Sequence, residues 1–193
     1  MNIGQTMITS GMFVLLVMSV ISANRMLIED AEITYQAEAF ELSASIAEDL
    51  TAEASAKLFD EKDNGTGEQD YWVFSSSCGP DAAEADSVSP LPDVSPLPDR
   101  PPFKSVTGFN DFDDYNGYTR IVDADSSISG FKVRVLVYYI NPAYPDYPSS
   151  WSSYFKKMEV GVSHPKYIVD KEGKAFDKDG KPVEIVYTTI MSY

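Results

Sequence analysis

MNIGQTMITSGMFVLLVMSVISAN, residues 1–24, carries no charged side chain, and from Ile8 to Ala23 it holds only Ser, Thr and Gly besides apolar residues. A bilayer core of about 30 Å takes roughly 20 residues of helix, so this stretch predicts a helix able to span a membrane. The alternative is a buried helix of a soluble domain. A secretory signal begins with a basic region and ends at a small-residue cleavage site; here Arg25 is the first basic residue, so signal cleavage is not expected. Positive residues usually hold a cytoplasmic amino end in place. Their absence is explained if a short basic leader has been removed and Met1 is a mature terminus.

Beyond Arg25 the helix has no reason to stop. Neither Pro nor Gly occurs between Gly11 and Gly65. Ile33, Ala37, Phe40, Ala44, Ala47, Ala54 and Leu58 recur at helical spacing, with Leu50 and Thr51 filling the gap and Glu38, Glu41, Glu48, Asp49 and Glu53 between them. Asn64-Gly65 supplies a stop, because both residues tolerate the left-handed conformation. A helix from near Met1 to about Asp60 would be about 90 Å long at 1.5 Å per residue. A domain of about 130 residues, on the order of 35 Å across, cannot cover it. The chain thus divides into an apolar helical segment (1–25), its amphipathic continuation (26–64), a connecting region (65–117) and a β domain (118–193).

The connecting region holds the aromatic run Tyr71, Trp72, Val73 and Phe74, expected to pack back on the helix, and Cys78 in a loop. Within 88–102 the pentapeptide SPLPD occurs twice, which favours a stiff polyproline stretch at the surface. From about Tyr118 the period changes to two. Phe131, Val133, Val135, Val137 and Tyr139 alternate with Lys132, Arg134, Leu136, Tyr138 and Ile140; 155–163 alternates Met158, Val160 and Val162 with Lys157, Glu159 and Gly161. The ending PVEIVYTTIMSY (182–193) and the shorter TRIVDA (119–124) add two strands. Asp170, Gly173, Asp177 and Gly180 mark turns. The expected fold is α+β: a long amino-terminal helix whose carboxyl half packs on a small antiparallel sheet of about four strands.

The chain of 193 residues has 30 acids against 15 bases, a formal charge of −15. Such a surface repels phosphate backbones, so nucleic acid is not expected as a partner. One histidine, His164, and one cysteine leave no internal disulfide and little material for a nucleophile–base relay. His164 is expected to be an ordinary exposed histidine. No catalytic residues are expected.

An uncharged apolar start, an uninterrupted amphipathic helix, a loop rich in Asp and Gly and a terminal antiparallel sheet together resemble the type IV pilins and the pseudopilins of type II secretion. DFDDYNGYT (111–119) and VEIVYTTIMSY add to the likeness. The resemblance implies removal of a leader, methylation of the new amine, and a glutamate at the fifth mature position that helps the subunit dock. Here that position is Gln5, whose amide can accept a hydrogen bond but cannot form the ion pair. It implies a subunit inserted in the inner membrane before assembly, which then polymerises into an extracellular or envelope-spanning filament. Gln5, Gly11, Phe13, Leu15, Leu16, Val20 and Arg25 are the expected packing residues between copies. The alternative is a single-pass membrane-anchored binding protein with an acidic, β-rich outer domain.

Asn110, Asp111, Asp113, Asp114 and Asn116 crowd within seven residues. Calcium takes six to eight oxygens from carboxylates, amides and carbonyls, and such spacing lets one loop wrap it. Some pseudopilins hold calcium in a loop before their last strands. These five residues are the candidate calcium ligands, against the alternative of a solvated acidic turn, and no other cofactor is expected.

Overall fold

The computed structural model describes residues 3–63, 66, 69–80, 98–123 and 128–193. The first SPLPD repeat, the start of the second (95–97), Met1 and the Asn64-Gly65 pair lie outside them. Helix α1 runs Ile3–Ser55, a 53-residue element. It passes through two units, Met1–Glu38 and Ala39–Tyr193, which are taken separately here.

In the first unit the side chains from Ile3 to Tyr35 are exposed. Two hydroxyls of this apolar stretch bond to their own helix: Thr9 donates to the carbonyls of Gln5 and Thr6, and Ser10 to that of Met7. Back-bonding of this kind spares those two hydroxyls the need for water.

In the second unit α1 buries Ala39, Ser43, Ile46, Ala47, Leu50 and Ala54. This face is rotated from the expected one: Ala47, Leu50 and Ala54 are inside, whereas Ile33, Phe40 and Leu58 are exposed. The small residues Ala39, Ser43, Ala47 and Ala54 let the helix axis approach the sheet closely, and Ser43 bonds the Tyr187 hydroxyl at 2.8 Å. The helix also ends earlier than expected. The Lys57 N–H bonds the Ala54 carbonyl, tightening the last turn, and Leu58 then exchanges backbone bonds with the loop at Asn110 and Phe112. That pairing draws the chain out of the helix before Asp60.

Five antiparallel strands follow: β1 (Thr119–Val122), β2 (Phe131–Asn141), β3 (Tyr144–Pro148), β4 (Phe155–Ser163) and β5 (Ile185–Ser192). Their order is β1-β2-β4-β5, with β3 on the end of β2. Val135 pairs with Val160, and Val160 with Tyr187. Phe131, Val133, Val135 and Val137 of β2 and Met158, Val160 and Val162 of β4 are buried, and cluster with Ile46, Ala47 and Leu50 of α1. Burying one Val or Leu contributes about 1.5–3 kcal/mol, so this apolar layer fixes which sheet face meets the helix. The fold is the expected α+β arrangement. β3 was not expected, because YPDYP carries two prolines; it is exposed throughout and sits where missing donors matter little.

The aromatic run 71–74 packs elsewhere than expected. Tyr71–Val73 is a 3-10 turn, and Phe74 meets Phe59, just beyond the helix, and Tyr193 at the end of the chain. Trp72 is exposed. Asp170 and Asp177 form the expected turns: each accepts two backbone N–H groups through Oδ1, and Gly173 and Gly180 take φ near +75°.

Candidate functional site

Two regions of the molecule stand out chemically, the exposed apolar half of α1 and a pair of buried ionic centres. On α1, Gln5, Gly11, Phe13, Leu15, Leu16, Val20 and Arg25 are all exposed. Phe13 is 68% exposed, Leu16 61% and Val20 52%. Isolated apolar side chains at a surface need no explanation, but a continuous series of them does. The helix is long and apolar enough to cross a membrane, with none of the apolar window buried. Met26, Leu27, Ile28, Ile33 and Phe40 extend exposed apolar surface past Arg25, further than the first 25 residues expected from composition.

The acidic loop preceding β1 is the second region. Asp111 and Asp114 cap each other's backbone. Asp111 Oδ1 accepts the N–H groups of Asp113 and Asp114, and Asp114 Oδ2 accepts those of Asn110 and Asp111. The result is a tight 3-10 turn, Asp113–Tyr115, with all three side chains buried. Asn116 turns away: its Oδ1 accepts the Val137 N–H and its Nδ2 donates to the Cys78 carbonyl. Asn110 is exposed. Backbone N–H groups thus claim one oxygen each of Asp111, Asp114 and Asn116. The positive charge that the loop faces belongs to the protein itself.

That charge is Lys156, on β4. Its side chain is fully buried, and Nζ donates to the Phe59 carbonyl at 2.6 Å, to Asp60 Oδ2 at 3.1 Å and to Asp113 Oδ1 at 2.5 Å. Phe59 and Tyr139 present their rings to the same ammonium, 4.5 and 5.0 Å away. Asp60 also accepts the Ser75 and Lys62 N–H groups and the Tyr139 hydroxyl. Burial disfavours the Lys156 ammonium, but Asp113 and Asp60 outweigh it and hold its pKa above the usual lysine value. Burial likewise works against the Asp60 carboxylate, and Lys156 with the Lys62 N–H reverses the balance and lowers its pKa. Asp113 is pushed up by burial despite Lys156. Asp111, pushed by burial and by the charges of Asp113 and Asp114, rises to about 9 and holds its proton at neutral pH. Asp60, Glu61 and Asp113 bring carboxylate oxygens within 4.8 Å of one another, a spacing a metal ion tolerates. An ion there would have to displace an ammonium that already bridges Asp60 and Asp113, so the donor set does not fit calcium.

Parity along β4 is the signal that reveals Lys156. Met158, Val160 and Val162 face inward, and two residues back from Met158 the same face is occupied by lysine. Burying an ion costs several kcal/mol unless every proton finds an acceptor, so a lysine at that position demands carboxylates opposite it.

The second ionic centre joins α1 to β1. Arg120 Nη1 meets Glu53 Oε2 at 2.9 Å, and Glu53 Oε1 accepts the hydroxyls of Ser105 and Tyr115. Arg120 also lies over the Phe103 ring, 4.4 Å from its centroid. Asp99 beside it accepts the N–H groups of Lys104 and Ser105 and the Tyr118 hydroxyl. Neither Glu53 nor Arg120 was singled out by pattern.

His164 is buried rather than exposed. Its Nδ1 accepts the N–H groups of Lys166 and Tyr167, so its proton sits on Nε2 and is donated to the Ser129 carbonyl at 3.0 Å. The ring stacks on Tyr167 and leans on Phe131. It closes the end of the sheet. Cys78 is half-buried, and burial together with the Asp113 charge pushes its thiol up to about 12, far from the thiolate that reacts at neutral pH.

Compared with known proteins, the chain matches no family model, no curated protein and no solved structure.

Proposed function

We propose that the chain is a pilin-like structural subunit, held in a membrane by the first half of α1 before assembly and polymerised through that same surface into an extracellular or envelope-spanning helical filament. The observation that carries this reading is the apolar helix, whose large side chains from Ile3 to Ile33 are exposed among the described residues. Lipid and a bundle of like helices both cover such a surface, and exchange between them gives a subunit that waits in one and works in the other. Small residues, Gly11 among them, let helices approach; a Cβ at Gly11 would meet nothing within the subunit. Head-to-tail contacts that do not close a ring produce a filament. The charge of −15 keeps neighbouring filaments apart. In this reading the protein catalyses no turnover reaction, and no nucleic acid is its partner.

A single-pass anchored binding protein is the second reading, favoured by Gln5, which lacks the carboxylate that would pair with a neighbour's amine. Electron microscopy of material sheared from cells separates the two. Regular fibres containing this chain support the subunit; recovery only in detergent-extracted membranes supports the anchor.

A further inference from the structure

We propose that Lys156 Nζ and Asp113 Cγ become joined by an intramolecular amide bond, formed inside the folded domain with loss of one water. The pair is in place for it: Nζ lies 2.5 Å from Asp113 Oδ1, which is bonded directly to Cγ, and both side chains are shut off from solvent, at 0% and 1% exposure. A lysine amine and a carboxyl group do not condense in water, where both are charged and the amine has no free lone pair. Here the chain holds them in contact, in a dry pocket walled by Phe59 and Tyr139. Fixed proximity of this kind is worth effective concentrations on the order of 10⁵ M or more. Of the two carboxylates in contact with the ammonium, Asp113 is the one whose pKa burial raises, so it is the better acceptor for a proton from Nζ.

Asp113 reacts, and Asp60 does not, because their surroundings differ. Asp60 accepts the Ser75 and Lys62 N–H groups and the Tyr139 hydroxyl, which keep it an ionised and unreactive carboxylate. Asp60 and the Phe59 carbonyl hold two of the Lys156 protons and so aim the nitrogen. Among the described residues, Asp113 receives Lys156 at Oδ1, and its buried Oδ2 accepts no hydrogen bond. The other buried carboxylate oxygen in that condition is Oδ2 of Asp111, two residues away. A single proton carried by Asp111 serves both oxygens, and it polarises the Asp113 carbonyl toward attack. Burial and neighbouring charge keep that proton on Asp111 at neutral pH.

The step balances without any added reagent. Lys156 first passes a proton to Asp113 Oδ1. The freed lone pair then forms the Nζ–Cγ bond while the carbonyl electrons move to Oδ2, protonated by Asp111. Asp111 recovers a proton from the nitrogen and passes it to Oδ1 as the Cγ–Oδ1 bond breaks, so that Oδ1 departs as water; Oδ2 returns its proton to Asp111 as the carbonyl re-forms. Of the three ammonium protons one stays on the amide nitrogen and two leave with oxygen. Asp111 ends with as many protons as it began, and nothing is oxidised or reduced. The bond ties the turn before β1 to β4, across 43 residues of sequence, where it would resist unfolding from either end.

Mass spectrometry of the purified full-length chain, denatured from detergent, tests the proposal, and the wild-type result does not depend on any variant folding. The expected result is a mass lower by one water, with trypsin failing to cleave after Lys156 and a branched peptide joining it to the segment with Asp113. Recovery of both linear peptides, with no branched species, overturns the proposal. Lys156→Arg keeps the positive charge without the amine and should show the full mass; a branched peptide at Asp113 in that variant also overturns it. Asp113→Asn should still cross-link but expel ammonia in place of water. Asp111→Asn should leave most of the chain linear in freshly folded protein, and complete cross-linking at the wild-type rate removes Asp111 as the proton carrier.

Discussion

Glu53, in the last turns of α1, and Arg120, in β1, form an ion pair at 2.9 Å with side chains 16% and 4% exposed. Sixty-seven residues separate them, so the pair fastens the helix to the far edge of the sheet. Because Glu53 also takes the hydroxyls of Ser105 and Tyr115, the carboxylate organises four elements at once.

Glu53→Ala leaves Arg120 buried with its charge unmatched. Breaking a buried pair costs about 3–5 kcal/mol, and the part-exposure of Glu53 reduces that to about 2 kcal/mol. For a chain of this size the thermal midpoint should fall by about 4–8 °C. Thermal unfolding followed by circular dichroism measures it, and Arg120→Met combined with Glu53→Ala should cost less than the two changes added together.

Asp111 sets a pH dependence whose sign is opposite to that of a paired carboxylate. Its folded pKa, about 9, lies above the ordinary value of 3.8, so the native state holds a proton that the unfolded chain gives up. Its stabilising contribution is complete below the ordinary value and is lost as the pH rises toward about 9. Denaturant midpoints of wild type and Asp111→Asn should therefore diverge steadily in favour of the variant between pH 5 and about 9. Asp60, with a lowered pKa, acts at the other end: its contribution is present above 3.8 and disappears as the pH falls through its folded value.

Among the described residues, the buried apolar residues of the core all lie in the unit Ala39–Tyr193. Expressed alone, residues 39–193 should be monomeric and monodisperse in plain buffer, whereas the full-length chain should need detergent or assemble. Analytical ultracentrifugation distinguishes these outcomes. A full-length chain that is monomeric without detergent would remove the basis for both functional readings.

Leu16→Arg places a charge in the middle of the exposed apolar helix. A charge at the centre of a membrane helix costs about 2.5–3.5 kcal/mol on insertion scales. Insertion and fibre yield should both drop several-fold, while the melting of the unit Ala39–Tyr193 is unchanged. Quantitative immunoblotting of membrane and sheared fractions reads the effect.

Much of the fold was legible in the sequence because helix and strand geometry are local. Alternation from Phe131 to Tyr139 and from Met158 to Val162 depends only on successive side chains pointing to opposite faces, and both runs are strands with the expected side inward. β3 escaped because its prolines read as a breaker, and the buried face of α1 was read in part: Ala47, Leu50 and Ala54 are inside, but the large Ile33, Phe40 and Leu58 drew the expected stripe away from Ala39, Ser43 and Ile46. The acidic loop was picked out by its residues, and the structure places Lys156 against one of them, Asp113. Clustered carboxylates say that positive charge is needed, but not from where.

What the sequence determined by itself is the character of each segment: an uncharged, largely apolar helix, an acidic loop rich in turn-forming residues, and strands of fixed parity. Tertiary structure alone decided which charges meet. Lys156 finds Asp60 across 96 residues and Asp113 across 43, and no local rule links such positions. The reason is physical: pattern along a chain is imposed by the geometry of neighbouring peptides, whereas the partner of a buried ion is chosen by the packing of elements that bring distant residues into the same dry space.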